Sequence, residues 1–112
     1  MTNFTAHNIR FADGSVTMPE QDHLLADVSW CGGTKRVLNM LYGGAPQGKR
    51  IVDLGCLEGG YALEFARMGM DALGIEVRQS NYDNCLEVKR RAGLANLDFA
   101  KNDVLNLPKY GM

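Results

Sequence analysis

The run Ile51–Tyr61 (IVDLGCLEGGY) constrains this chain most, because an apolar segment passes through an acid into a loop rich in glycine. The apolar residues predict a short buried strand, the glycines predict a tight turn, and the residues from Gly59 onward predict the first turn of a helix. A joint of this kind brings bare backbone and a helix N-terminus close to a ligand. The joint alone suits many nucleotides, so the neighbouring acids must distinguish among them.

Strands and helices alternate over the rest of the chain. The strands are predicted at 50–54, 71–75 and 97–101, and the helices between them at 59–68 and 80–92. Alternation of this kind implies parallel pairing with right-handed crossovers. We therefore predict an α/β fold with a parallel sheet of about three strands, in the order 3-2-1, and flanking helices.

The amino-terminal part lacks this alternation. We predict an N-terminal cover segment over residues 1–33 and the α/β unit over residues 34–112. Asp13-Gly14 is typical of a turn and predicts a short hairpin around it. A short helix is predicted from 22 to 30.

Local capping patterns set the predicted helix starts. Thr34 is the expected N-cap of a helix from Lys35 to about Tyr42. Ser80-x-x-Asp83 predicts a capping box at the start of the last helix. We expect Tyr82, Leu86 and Ala92 to face inward from that helix.

Composition excludes several classes of protein. The chain has 112 residues and a formal net charge of −1, so it offers no broad cationic field and no strong nucleic-acid signal. It has no apolar run of membrane-spanning length and no signal-peptide pattern at its start, which predicts a cytoplasmic protein. The three cysteines form no Cys-x-x-Cys pair, so we expect no metal site and buried, reduced thiols. His7 and His23 are expected at the surface or in loops.

Each predicted strand delivers an acid to the carboxyl edge of the sheet, where ligands of such folds bind. Asp53 and Glu58 follow from the first strand, Glu76 ends the second, and Asp103 follows the third. One carboxylate can accept hydrogen bonds from both hydroxyls of a ribose, which suits Glu76. Asp103 could accept from an adenine amino group.

The glycine loop disfavours a phosphate ligand. When Gly55 is aligned with the first glycine of the dinucleotide motif, Leu57 falls where a pyrophosphate requires glycine. No Gly-Lys-Ser or Gly-Lys-Thr follows, so a P-loop is excluded. S-adenosylmethionine carries sulfonium and ammonium groups and no phosphate, and it therefore suits a pocket ringed by acids.

The chain resembles the first half of class I (Rossmann-like) S-adenosylmethionine-dependent methyltransferases. Residues 53–59 match the family's first motif, D-x-G-x-G-x-G, with Leu57 departing from the commonest pattern. Residues 74–76 match the second motif and residues 102–104 the third. Residues 7–14 are similar to the lead-in of some members that act on small molecules or on the wobble uridine of tRNA.

This resemblance implies a three-layer fold, the cofactor S-adenosyl-L-methionine and a set of cofactor-binding residues, but it designates no catalytic residue. The methionine moiety would be lined by Asp53, Gly55, Leu57 and Gly59, with Cys56 and Glu58 completing the loop. Glu76 would bind the ribose and Val77 would lie beside the adenine. The adenine ring would be bordered by Asn102, Asp103 and Val104. Structural roles remain open: a tight turn for the glycines, a helix cap for Asp53, a solvated strand end for Glu76, a turn former for Asp103, and packing for Tyr61 and Trp30.

The readable pattern ends before the family's fourth strand, so we expect a truncated domain without the usual substrate-binding half. The first strand would then present an unpaired apolar edge, which predicts a homo-oligomer formed through that edge. The predicted function is methyl transfer to an unidentified small-molecule or RNA acceptor. The alternatives are a non-catalytic module that binds S-adenosylmethionine or S-adenosylhomocysteine and self-associates, a purely structural fragment, and a dinucleotide binder, which Leu57 disfavours.

Overall fold

A computed structural model describes residues 3–110 of the protein. The elements, in chain order, are a 3-10 turn at Leu25–Asp27, α1 at Ser29–Leu41, β1 at Arg50–Leu54, α2 at Gly60–Arg67, β2 at Asp71–Glu76, α3 at Gln79–Ala92, β3 at Leu97–Lys101 and a 3-10 segment at Val104–Tyr110. None of the helices within residues 3–110 combines the length and apolar character needed to cross a membrane.

The sheet is parallel, with β2 in the centre. β1 pairs with β2 from Arg50 opposite Asp71, and β2 pairs with β3 from Ala72 opposite Leu97. This order confirms the predicted Rossmann-like α/β fold with flanking helices. Within residues 3–110, β1 has a strand partner on one side only.

The core lies between the sheet and the helices that flank it. Leu63 and Ala66 of α2 and Val88 of α3 are buried there, and Met70 is buried where the chain enters β2. Gly69 and Gly93 adopt positive φ angles of 87° and 64° just after α2 and α3, and so end these helices close to the predicted ends at 68 and 92.

The N-terminal residues fold over the same core. Ile9, Phe11 and Met18 are buried in it. The predicted hairpin around Asp13-Gly14 is reduced to a single antiparallel bridge between Arg10 and Val16. This segment is therefore an integral layer of the core.

The predicted start of α1 is wrong. The helix begins at Ser29 and continues through both glycines at 32–33, with Val28 at its N-cap and no side-chain cap. Thr34 lies inside the helix, where its hydroxyl donates to the Trp30 carbonyl at 2.9 Å. Glycine lowers helix propensity by about 1 kcal/mol without forbidding the conformation, so the pair did not act as a stop. The helix predicted over 22–30 is limited to the 3-10 turn, because Val28 is extended, with ψ 146°.

The predicted capping box at α3 is also wrong. The helix begins at Gln79, and the Arg78 N–H is satisfied at 2.9 Å by the carboxylate of Glu76 at the end of β2. The buried side of α3 carries Cys85 and Val88, whereas Leu86, predicted to face inward, is exposed. Tyr82 and Ala92, also predicted to face inward, are partly buried against the core. The carboxylate two residues before Arg78 therefore takes the place of the predicted capping box, and only Leu86 departs from the predicted buried face.

Candidate functional site

The loop between β1 and α2 follows a left-handed path. Gly55, Leu57 and Gly59 have φ angles of 65°, 51° and 87°. A side chain in this region costs roughly 1–2 kcal/mol, and glycine avoids that cost. Leu57 tolerates it while its N–H donates to Glu76 Oε1 at 3.0 Å, which ties the loop to the end of β2. The loop is therefore shaped by β2 as well as by its own glycines.

Gly59 is required by packing as well as by its φ angle. A Cβ at Gly59 would lie 2.7 Å from the Phe99 ring, and a Cβ at Gly74 would meet the same ring at 2.7 Å. The Phe99 side chain therefore fills the space between β2 and the loop. Any side chain at Gly59 would therefore clash with the Phe99 ring.

Glu58 faces the N-terminal segment. Its carboxylate is 1% exposed and accepts hydrogen bonds from the backbone N–H groups of Thr5, Ala6 and His7, each at 2.8 Å. Asn84 Nδ2 of α3 adds a fourth donor at 2.8 Å. Burial alone would raise the pKa of Glu58, but these backbone donors and Asn84 hold it below its usual range. The side chain therefore fastens residues 5–7 to the loop.

His7 lies in irregular backbone, as the loop alternative of the prediction has it, but it is buried and not at the surface. Its Nδ1 accepts a hydrogen bond at 3.0 Å from the Gly60 N–H in the first turn of α2, and its ring stands edge-on to Tyr61. Burial lowers the pKa of His7 despite the opposing charge of Glu58. Sequence reasoning missed this residue, because its partners lie more than fifty positions away along the chain.

A cleft of about 420 Å³ opens beside the loop. It is lined by His7, Trp30, Thr34, Asp53, Gly55, Cys56, Leu57, Tyr61 and Phe65. Trp30 is 74% exposed on the wall of the cleft, so its side chain has little of the packing role that the sequence left open for it. No lysine or arginine within residues 3–110 lines this cleft.

Asp53 places its carboxylate in this cleft. No group within residues 3–110 donates a hydrogen bond to it, although Glu58 and Glu76 both have several donors. Burial, followed by the nearby charge of Glu76, raises the pKa of Asp53 to about 6. The ionised carboxylate of Asp53 therefore destabilises the folded protein, and no hydrogen-bond donor within residues 3–110 offsets this.

Glu76 lies next to the loop at the end of β2. It accepts from the N–H groups of Leu57 and Arg78, and Asn81 Nδ2 lies 3.5 Å from Oε2. The next residue, Val77, is exposed. The carboxylate thus joins the loop to α3 at the rim of the sheet.

The residues after β3 form a turn. The Asn102 N–H donates to the Glu76 carbonyl at 3.1 Å, which brings this turn to the same edge. Asp103 Oδ1 accepts from the Leu105 N–H at 2.9 Å, and Val104 is exposed. The Asn102 side chain donates to the hydroxyl of Tyr110 at 2.9 Å. Asp103 therefore has the contacts of a turn former in this structure.

The cysteines are free and buried, as predicted. Cys56 and Cys85 lie with their sulfur atoms 3.6 Å apart, and Cys85 Sγ donates to the Leu57 carbonyl at 3.1 Å. The contact with Cys85, together with burial, strongly raises the pKa of Cys56. The Cys56 thiol therefore stays protonated and packs inside the loop.

No family model and no curated protein matches this chain. Several solved structures do. The N-terminal domain of EvdMO1, solved in the presence of SAH and D-fucose, is 28% identical, with a TM-score of 0.62 over 89% of this chain and 40% of that one. The [4+2]-cyclase SpnF is 25% identical, with a TM-score of 0.56 over 95% of this chain and 37% of that one. Coclaurine N-methyltransferase, bound to N-methylheliamine and SAH, shares the fold at 18% identity and a TM-score of 0.52, over 95% of this chain and 28% of that one.

The three-stranded parallel sheet with its flanking helices is a Rossmann-like α/β fold. The structures that it matches are class I S-adenosylmethionine-dependent methyltransferases, and the chain resembles this family over most of its length. It spans about two fifths of the EvdMO1 domain that it matches. The comparisons support the predicted cofactor, S-adenosyl-L-methionine.

Proposed function

We propose that this chain binds S-adenosyl-L-methionine along the carboxyl edge of its sheet, with the charged methionine end in the cleft beside Asp53. Within a complete methyltransferase, the bound sulfonium would donate its methyl group to an acceptor, either a small molecule or an RNA. Proximity and in-line orientation would supply most of the protein's contribution to that step.

The vacant carboxylate of Asp53 is the observation that carries this proposal. It stands in a cleft without lysine or arginine among its described lining residues, and nothing in residues 3–110 donates a hydrogen bond to it. A cationic ligand would offset the burial that raises the pKa of this acid to about 6. A phosphate-bearing ligand would instead add a like charge beside Asp53 and Glu76.

The remaining contacts extend from the cleft along the rim. Gly55, Leu57 and Gly59 would let the methionine moiety approach the loop backbone, and Cys56 would support the loop from within. Glu76, already beside Leu57 at 3.0 Å, would accept from the ribose hydroxyls. The adenine would lie between Val77 and the turn made by Asn102, Asp103 and Val104. Asp103 and Val104 are exposed and could contact the ring.

Glu58 would act on the cofactor only through the residues that it holds. Its oxygens face residues 5–7 and Asn84, and these contacts already use both of them. We therefore assign it the positioning of the loop and of the N-terminal segment.

A second function is a binding module that holds S-adenosylmethionine or S-adenosylhomocysteine without transferring a methyl group. The chain covers only two fifths of the similar EvdMO1 domain, and one similar structure is a [4+2]-cyclase, so the fold does not by itself dictate the reaction. Binding without transfer to any acceptor would favour the module.

Calorimetric titration with S-adenosylhomocysteine tests the proposed site. The wild-type chain should bind it, and Asp53→Asn should bind more weakly by about tenfold, because one charge-assisted contact is lost. Asp71→Asn is the matched control, since Asp71 is exposed at the opposite end of β2. Equal affinity in all three proteins would refute the assignment.

We also propose that the chain self-associates through the free edge of β1 and the apolar face of α1. The edge includes the exposed Leu54, and α1 exposes Val37, Met40 and Leu41, with Met40 81% exposed. An unpaired strand edge and an apolar helix face are both surfaces that water solvates poorly. Sedimentation that shows only monomers at micromolar concentration would overturn this proposal. The cytoplasmic location stays a prediction from the sequence.

A further inference from the structure

One ring nitrogen of His7 accepts the hydrogen bond from Gly60. Its other ring nitrogen, Nε2, has no hydrogen-bond partner within residues 3–110. Every side-chain nitrogen and oxygen atom that is fully buried in those residues does have a partner. Nε2 is therefore not fully buried, and the cleft that His7 lines is the one that contains Asp53.

The structure fixes which proton the ring carries. Nδ1 accepts the Gly60 N–H at 3.0 Å, so Nδ1 must be bare and a neutral imidazole then carries its hydrogen on Nε2. Protonation of Nδ1 would set two donors against each other. The lowered pKa of His7 agrees with a neutral ring. The cleft therefore contains a neutral N–H donor in a defined position.

The other side-chain O–H and N–H donors that line the cleft are the hydroxyls of Thr34 and Tyr61 and the indole N–H of Trp30. Thr34 already uses its hydroxyl proton on the Trp30 carbonyl, and Trp30 itself is largely exposed. His7, in contrast, is 5% exposed and is held from both sides, by Gly60 at its ring and by Glu58 at its backbone. A donor held this firmly needs little reordering when a ligand arrives.

Resting on the proposed function, we propose that His7 Nε2–H binds the carboxylate of the cofactor's amino-acid end, while Asp53 faces its positive groups. The cleft would then recognise a zwitterion with one fixed donor and one fixed acceptor. The bond that Nδ1 accepts from Gly60 polarises the ring and strengthens the Nε2–H donor. In this scheme Glu58 is a positioning residue for His7.

Two ligands separate this role from a structural one. S-adenosylhomocysteine has the amino-acid end, whereas 5′-methylthioadenosine shares its nucleoside and thioether but lacks that end. His7→Asn is the informative variant, because the amide oxygen of asparagine can replace Nδ1 as the acceptor for Gly60 while the donor toward the cleft is lost. Titration of the full chain should show S-adenosylhomocysteine binding weakened about tenfold and methylthioadenosine binding unchanged.

The other results overturn the proposal in distinguishable ways. Equal losses for both ligands would make His7 a structural residue, and unchanged affinity for S-adenosylhomocysteine would remove it from the site. A wild-type chain that binds neither ligand would refute the proposed function itself, and this inference with it.

A measurement on the wild-type chain keeps the test valid if His7→Asn fails to fold. The ¹⁵N and ¹H resonances of the His7 Nε2–H group should shift on addition of S-adenosylhomocysteine and stay in place with methylthioadenosine. Equal shifts with both ligands, or none with either, would contradict contact with the carboxylate.

Discussion

Asp53→Asn should stabilise the free protein while it weakens ligand binding. The folded state holds the Asp53 proton up to a pKa of about 6, whereas the unfolded chain releases it near 3.8. The folded state thus binds more protons between these values, so this carboxyl makes stability fall as pH rises from 3.8 to about 6. Above that window the full cost is present, and asparagine, which cannot ionise, removes it.

The magnitude follows from the same window. A shift of about two pKa units corresponds to roughly 3 kcal/mol at about 1.4 kcal/mol per unit. Because the carboxyl is only partly buried, solvent screens the charge, and we expect about 1–2 kcal/mol in practice. For a domain of this size, that gain corresponds to a rise in Tm of several degrees.

Urea denaturation at neutral pH and near pH 3.5 measures the effect. The variant should exceed the wild type in unfolding free energy at neutral pH, and most of the difference should be lost at the lower pH, where Asp53 is largely protonated in both states. Asp71→Asn, at an exposed position, should show neither behaviour.

A stabilised variant that still binds S-adenosylhomocysteine at full affinity would separate the buried charge from the ligand and refute our reading of the site. A variant without any gain at neutral pH would show that the carboxylate has a donor in solution.

Two further predictions concern the loop. Leu57→Gly should relieve the left-handed strain at φ 51° and keep the N–H that donates to Glu76. Thermal unfolding should therefore show no loss of stability, and a gain of up to about 1 kcal/mol after the added chain entropy of glycine is subtracted. A clear loss of stability would mean that the leucine side chain stabilises the loop. Glu58→Gln should cost about 2–3 kcal/mol in urea denaturation, because the amide group turns a donor toward backbone N–H groups, whereas Glu20→Gln at an exposed site should change little; equal stability of the two variants would refute the role of Glu58 as a fastener.

The sheet could be predicted from the sequence because its determinants are local. Apolar strands bounded by glycine define their own limits, and β3 begins and ends where the pattern placed it, at Leu97–Lys101. The glycine stops at 69 and 93 are equally local, since a positive φ is a property of a single residue.

The details of the site could not be predicted, because their determinants are tertiary. The start of α3 was missed for a local reason: the carboxylate of Glu76 accepts from the N–H of Arg78, just before the helix, so the predicted capping box was not needed. Glu58 and His7 have partners that lie 51 to 53 residues away in sequence, and no pattern in a single chain pairs such positions. The sequence predicted that acids lie beside a glycine-rich loop. It did not predict which of these acids lacks a hydrogen-bond partner.

Three hydrogen bonds from backbone N–H groups to the Glu58 carboxylate mean that the N-terminal residues of this chain should not tolerate deletion. A variant that began after His7 would leave that carboxylate with Asn84 as its one remaining donor among the described residues, and it would leave a cavity next to the first turn of α2. Deleting the first seven residues would therefore be expected to disorder the loop between β1 and α2.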